Sequence, residues 1–251
     1  AYLRLGQNPR EAAVRRAAVL QAADLYRQAG ALNDAAAALE LYLQRFPRPV
    51  PTAIAVRQQL AELAHAKNDE KRRRHWLEQI IEAERSASDA ARSAQTRELA
   101  AQAALQLAEF SVAIFHRTIV VEPLKRSLPR KLEAMKEALK ALELATDYGV
   151  FPVTTAATYQ IADLHHTLSR ELLASARPAH LSGEALAQYD VMLEEQAFPF
   201  EQKAIHFYEA NARRLHERRD DPWIVKSLER LAELVPARYA KKESRETKNT
   251  K

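Results

Sequence analysis

The sequence predicts an all-α solenoid, and three observations carry that prediction. A five-residue phrase recurs as Gln21-Ala-Ala-Asp24-Leu25, Gln59-Leu-Ala-Glu62-Leu63, Gln106-Leu-Ala-Glu109-Phe110 and Gln160-Ile-Ala-Asp163-Leu164, and Arg230-Leu-Ala-Glu233-Leu234 changes only its first residue. Each copy lies in a helical pattern of apolar positions, as in a stack of similar helices. Composition agrees: of 251 residues only four are Gly and none is Cys, while 47% are hydrophobic and 28% charged. That describes an Ala-rich helical protein rather than a sheet protein or a disordered one. Finally, the breaks between helical patterns are short, none of them a domain linker, so residues 1–239 read as one domain.

Taken in order, Asn8-Pro9-Arg-Glu-Ala opens the first unit, residues 11–47, with Pro in a first turn where its missing N–H does no harm. Gly30 to Asn33-Asp34 forms its turn, and Asp34 is placed to cap the second helix. Phe46-Pro47-Arg-Pro49-Val-Pro51 is too rich in Pro to be helical and is expected to be a stiff link. The second unit, 51–85, turns at Asn68-Asp69. Ser86-Ala-Ser88-Asp89 leads into the third, 88–148, which is followed by a fourth, 152–218. A capping helix over 221–236 carries the Arg variant of the phrase, with Trp223 expected to pack on the helix before it.

Counted outward from Gln21, the first unit places Val19, Ala22, Ala23, Tyr26, Gly30, Ala35, Ala36, Leu39, Tyr42, Leu43 and Pro47. This resembles the tetratricopeptide repeat, with small residues where its two helices touch, an aromatic one turn later, Gly at the turn and a closing Pro. The closing Tyr42-Leu-Gln-Arg-Phe46-Pro47 is similar to repeats of Gram-negative envelope proteins, such as the lipoprotein repeats of the outer-membrane barrel-assembly machinery. The second unit keeps Leu60, Ala61, Leu63, Asn68, Leu77, Ile80 and Ile81 in register but has Arg73 where the second helix usually carries Ala. Units three and four match only at their first helices, so the resemblance is specific over about residues 11–85. It implies a right-handed α–α superhelix.

Units three and four are expected to be enlarged. Thirteen residues separate Ala22 from Ala35, whereas the corresponding steps from Leu107 to Ala138 and from Ile161 to Ala204 are 31 and 43. The excess includes Thr118-Ile-Val-Val121-Glu-Pro123 and the stretch from Arg177-Pro178 through Phe198-Pro199-Phe200, in which 181–197 reads as one added amphipathic helix. Insertions in repeat proteins often carry function, so these two are places to seek a specialised contact, the plainer account being extra helix that thickens the core.

The resemblance also implies a site. In tetratricopeptide repeats the first helix of each unit lines the concave surface, which would set Asp24, Glu62, Glu109 and Asp163 as a ladder of carboxylates beside Gln21, Gln59, Gln106 and Gln160. Amides can bond the backbone of an extended peptide and carboxylates can meet its Lys or Arg, so the expected partner is a protein or peptide of basic character. The competing account is that each Gln and carboxylate pairs locally and only solvates its helix.

Other function classes fare worse. The net charge of +5 and pI near 9.4 invite a nucleic-acid reading, but Lys71-Arg72-Arg73-Arg74-His75, Lys125-Arg126, Arg130-Lys131, Arg213-Arg214 and Arg218-Arg219 are interspersed with acids and match no binding motif. Glu62-Leu-Ala-His65 and Asp163-Leu-His-His166 have the i, i+3 spacing of di-iron bundles, but in a solenoid they would stand two repeats apart. No zincin motif, nucleophile elbow or phosphate loop is present, so neither catalysis nor a cofactor is expected. No run approaches the roughly 18 to 20 apolar residues of a membrane span. The chain starts at Ala1 rather than Met, leaving room for a signal peptide or further repeats upstream. Its lack of Cys suits the periplasm, with the cytoplasm as the alternative.

The expected function is therefore a non-catalytic interaction scaffold or adaptor of a bacterial envelope assembly. It would bind a partner in the concave groove or on the inserted helix. A cytoplasmic or nucleic-acid-associated repeat protein is the alternative, and a metal-dependent helical bundle the weaker third. Residues 240–251 have no apolar residue beyond Ala240 and cannot bury enough surface to order themselves, so they are expected to be a disordered basic tail. Limited trypsinolysis followed by mass spectrometry should show cleavage after Lys241 and Lys242 before any cut within the helices. Protection of both bonds in the isolated chain would mean a docked tail.

Overall fold

In a computed structural model, residues 12–239 are described. The expectations for Asn8-Pro9 and for the tail at 240–251 lie outside the described residues. Among the described residues the chain is all α-helical, without a strand. The helices are α1 (Ala12–Gln28), α2 (Leu32–Arg45), α3 (Val50–Ala66), α4 (Glu70–Arg85), α5 (Ala94–Arg117), α6 (Leu124–Asp147), α7 (Phe151–Leu173), α8 (Gly183–Ala212), α9 (Pro222–Leu234) and the single turn α10 (Pro236–Tyr239). Short 3-10 turns occur at Asp89–Ala91 and Arg213–His216. The chain forms two compact units, divided between Leu107 and Ala108.

The first unit contains two helical hairpins, α1–α2 and α3–α4, with the same turn chemistry. After α1, the Ala31 amide donates to the Tyr26 carbonyl (2.9 Å) and the Gly30 amide to Arg27 (3.1 Å). After α3, Asp69 donates to Ala64 (2.9 Å) and Asn68 to His65 (2.9 Å). This crossed pair of bonds closes a helix with one residue in the left-handed region, filled here by Gly30 at φ 73° and Asn68 at φ 55°. Gly30 and Asn68 stand 38 positions apart, as do Gln21 and Gln59. Val19, Ala23, Ala35, Ala36, Ala38, Leu39 and Tyr42 are buried together with Val56, Leu60 and Leu63. Tyr42 packs on Phe46 with ring centroids 5.4 Å apart, which seats the chain as it leaves α2.

Two details differ from expectation. Helix α2 starts two residues before Asp34, behind an Ala31 that makes no side-chain cap bond, so Asp34 lies inside the first turn and complements the helix dipole there. Val50 and Pro51 belong to α3, because Pro needs no amide partner in a helix's first turn. Asp69 does cap α4, accepting from the Arg72 amide at 3.0 Å.

In the second unit α7 and α8 make the most extensive helix pair, and α9 packs on both. Ala162, Ala204, Tyr208 and Leu231 are buried where the three helices meet. A hydrogen-bonded network threads the same contact. Asn211 donates to the Thr155 carbonyl (2.9 Å) and to the Ser227 hydroxyl (3.1 Å), and the Thr155 hydroxyl donates to Asp221 (3.1 Å). Asp221 in turn accepts the Trp223 and Ile224 amides at the start of α9. Trp223 packs on Tyr159 of α7, with ring centroids 5.3 Å apart, rather than only on the preceding helix.

Residues 181–197 do not form a separate helix. From Gly183 on they are the first half of α8, which runs for 30 residues through Pro199. Pro199 is exposed, so the carbonyl it leaves unbonded can turn to water. On the opposite face Leu193, Ala197 and Ala204 are buried and keep the helix running.

Lys131 is fully buried. Its Nζ donates to the Phe115 carbonyl near the end of α5 (2.9 Å) and to the Glu171 carboxylate of α7 (2.9 Å), and lies 3.7 Å from the centre of the Phe115 ring. A buried ion pair loses most when one member is removed and the other stays behind. Because Glu171 retains some exposure and Lys131 none, Glu171→Ala should cost about 3 to 5 kcal/mol in urea unfolding and Lys131→Met distinctly less. The double change Lys131→Met with Glu171→Leu should recover most of the loss. Equal costs for the two single changes would show that the charge pair is not what the site depends on.

Candidate functional site

The residues of the repeated phrase occupy different environments. Its second and third positions are the packing ones: Ala22, Ala23, Leu60, Ala61, Ala108, Ile161 and Ala162 are all buried. Gln21, Asp24, Gln59, Glu62 and Glu109 are exposed, whereas Gln106, Gln160 and Asp163 are half-buried. Asp24 pairs with Arg27 one turn on (2.8 Å), and Glu62 accepts from Gln58 (3.1 Å) rather than from its phrase partner Gln59. Asp163 lies on the side of α7 that meets α8 and α9, close enough for its charge to act on His166 and Tyr208.

Arg230 and Glu233, the variant phrase, join that polar cluster with an ion pair of 2.9 Å. Tyr208 is fully buried and its hydroxyl has no hydrogen-bond partner. Burial, reinforced by the Asp163 carboxylate, holds its phenol well above the usual range. His166 is pushed down, first by burial and then by Arg230, while Asp163 pulls the other way. Among the described residues no three His, Asp or Glu side chains are gathered as a metal site would require. In the first unit His65 lies 3.6 Å from Glu70 rather than pairing with Glu62.

One helix comes closer to a membrane span than the sequence suggests. Among the described residues α5 alone is long and apolar enough on length and composition, with a mean hydropathy of 1.2. Gln102, Gln106 and Glu109 fall in its middle, and a central carboxylate is costly in hydrocarbon. Its Ala100, Ala101, Ala103, Ala104 and Ala108 are buried and form its packed side, while two thirds of the apolar window is not buried.

The feature that sequence reasoning located only by its parts is a recess in the second unit. Its volume is about 450 Å³. One wall is Leu128, Pro129 and Leu132 of α6 with the segment Glu122-Pro123-Leu124-Lys125, and the other is Tyr189, Met192 and Gln196, spaced along one face of the first half of α8. The two stretches set apart as excess length, after α5 and after α7, thus meet at one place. Arg177 ties the α7–α8 loop to α8 through Asp190 (2.7 Å) and also donates to the Leu173 carbonyl (2.8 Å). Tyr189 faces Glu122; burial, then that carboxylate, holds its phenol above the usual range. Leu124, Leu128, Leu132 and Met192 make the lining largely apolar, Met192 is adaptable, and Glu122 and Lys125 add opposite charges. Such a recess can take apolar side chains of a partner.

Comparison with protein-family models, with curated proteins and with solved structures finds no match to this chain.

His165 supplies a pH test of the α7–α8 contact. It is buried between Phe207 (5.8 Å, rings nearly parallel) and Phe200 (6.2 Å), and its Nδ1 has no hydrogen-bond partner. Burial, with help from Lys203, pushes the imidazole down from 6.5 to about 4. The unfolded chain therefore takes up a proton that the folded chain refuses. Stability from this group is complete above pH 6.5 and is lost as pH falls towards 4, by about 3 kcal/mol in total. Urea unfolding of the parent and of His165→Phe at pH about 7.5 and about 4.5 should show a distinctly shallower loss in the variant. Parallel losses would place the acid sensitivity elsewhere.

Proposed function

We propose that this chain is a non-catalytic interaction scaffold that holds an apolar segment of a partner protein in the recess between α6 and α8. The observation that carries this reading is the meeting of both excess stretches at one concave, largely apolar surface whose charged members are Glu122 and Lys125. Helices that merely thickened a core would close on each other; here they leave a space of about 450 Å³.

The wider architecture in this proposal is a tetratricopeptide-like solenoid with enlarged third and fourth repeats. Its support is the repeated turn chemistry at Gly30 and Asn68 and the recurring burial of the small residues in the phrase. The 38-residue spacing exceeds the 34 of the tetratricopeptide repeat, so the likeness is one of pattern rather than of period. Placement in a bacterial envelope assembly rests on the closing Tyr42 to Pro47 motif and on the absence of Cys. The exposed Gln21, Asp24, Gln59 and Glu62 of the first unit are a second candidate surface, suited to a basic peptide.

A photo-crosslinking residue placed in turn at Leu132, Met192, Asp24 and Glu62 separates the surfaces. The recess positions should give a saturable crosslink to a defined protein in envelope extract, competed by unlabelled chain. Met192→Glu and Leu132→Glu together should weaken that capture at least about tenfold with helicity unchanged, since a desolvated charge costs more than the ~1.4 kcal/mol that factor requires. Changing Asp24, Glu62, Glu109 and Asp163 to their amides should leave it intact. Capture lost in the amide variant but kept in the recess variant would move the binding surface to the phrase. No saturable crosslink at any position would defeat the scaffold reading.

A further inference from the structure

A second concave surface lies in the first unit and is independent of the α6–α8 recess. Helices α2, α3 and α4 line an open recess of about 490 Å³. Helix α4 contributes Arg72, Trp76 and Gln79, one, two and three turns along a single face, with His75 beside them. Helix α2 contributes Glu40, Leu43 and Gln44, and α3 contributes Arg57. Two members of the basic run from Lys71 to His75, Arg72 and His75, thus line this recess.

Arg57 is the unusual member. It is half-buried, its Nε is shut off from solvent, and it has neither an ion pair nor a hydrogen bond among the described residues. Its neighbours in charge are already engaged or unsuited: Arg72 pairs with Asp69 (3.5 Å), and Glu40, in the same lining, is not within ion-pair distance of Arg57. Burial accordingly pulls the Arg57 guanidinium below its ordinary range, with no carboxylate close enough to oppose the shift. A guanidinium cannot escape by losing its proton at neutral pH, so its partial burial without a counter-charge is a standing cost. The cost is offset when a carboxylate docks against it, because a charge-assisted, two-point bond forms where water is already partly excluded.

We infer that this cavity binds a peptide segment in which an acidic side chain stands next to an apolar one. The acid meets Arg57, the apolar neighbour packs on Trp76 and Leu43, and the amides of Gln44 and Gln79 serve the peptide backbone. Glu40 gives the preference for a single carboxylate. Arg57 and Arg72 against Glu40 leave the lining with one net positive charge, which one carboxylate neutralises; a second closely spaced anion, as in a nucleic acid or a phosphate cluster, would find no counter-charge there and would meet Glu40.

The test uses the full chain with Trp223→Phe, so that Trp76 is the sole tryptophan reporter. A random peptide library displayed on phage is selected on this protein, and the enriched peptides are synthesised and titrated by Trp76 fluorescence. Enrichment of Asp or Glu beside an apolar residue is expected. Arg57→Gln should weaken the best peptide at least about tenfold. Replacing the peptide's acid by its amide should do the same, and the two changes together should cost little more than either alone. Because Arg57 has no partner to lose, its variant should unfold at the same urea concentration as the parent or a higher one, which distinguishes a ligand group from a structural one. Inorganic phosphate should not displace the peptide. The inference is overturned if no acidic peptide is enriched, if binding ignores Arg57, if acid and amide peptides bind alike, if phosphate competes through Arg57, or if Arg57→Gln destabilises the chain.

Discussion

Everything in this molecule depends on alanine at the points where helices touch. Ala22, Ala23, Ala35, Ala36 and Ala38 in the first hairpin, Ala53, Ala61 and Ala64 in α3, and Ala156, Ala157, Ala162 and Ala204 in α7 and α8 are all buried. A methyl side chain costs no rotamer entropy and lets two backbones approach closely. Larger groups such as Leu39, Tyr42, Leu60 and Tyr208 then fill the spaces to either side. The arrangement assigns the remaining positions as well. Once the Ala stripe faces a neighbouring helix, the Gln and carboxylate positions of the phrase are carried outward or to the edge of the contact, without a separate force to place them.

The second unit adds polar constraints that an Ala stripe alone would not provide. Lys131, Thr155, Asn211, Asp221 and Ser227 are buried, and each is bonded to a group on another helix or at a helix end. A displaced helix would strand these groups without water, so they penalise misalignment more than they add to stability. The long α6, α7 and α8 offer many sliding registers to a smooth apolar face. The network that joins Thr155, Asn211 and Asp221 selects one for α7, α8 and α9.

Against this background the two recesses are places where satisfaction is incomplete. Between α6 and α8 the helices do not close, and apolar side chains line the gap. Between α2, α3 and α4 a half-buried guanidinium has no counter-charge among the described residues, and its Nε is shut off from solvent. Elsewhere in the first unit comparable groups are matched at once: Asp24 with Arg27, Arg73 with Glu70, and Lys67 with Asn33. Arg15 in the same unit also has a buried Nε without a hydrogen bond, but its guanidinium lies over the Phe46 ring, 5.9 Å from its centre, whereas Arg57 has no such partner among the described residues. The basic run that follows it drew notice in the sequence, but the decisive residue lies outside that run.

The sequence by itself determined the helical class, the turns at Gly30 and Asn68 and the start of α9 at Asp221. Each follows from local physics: helical spacing of apolar residues, one residue able to adopt positive φ, and one side chain able to accept free amides. Some local readings failed where two local signals compete. Pro199 signals a break, yet the burial of Leu193, Ala197 and Ala204 on the other face carries α8 through it; Asp34 signals a cap, yet α2 begins before it. What only the tertiary structure decided is which distant residues share a surface: Lys131 with Glu171, His165 between Phe200 and Phe207, the segment at 122–125 with Tyr189 and Met192, and Arg57 with Trp76. Helical periodicity states the face a residue occupies on its own helix. The neighbour on that face is set by the crossing and register of whole helices, which the packing of many side chains determines together and no single spacing records.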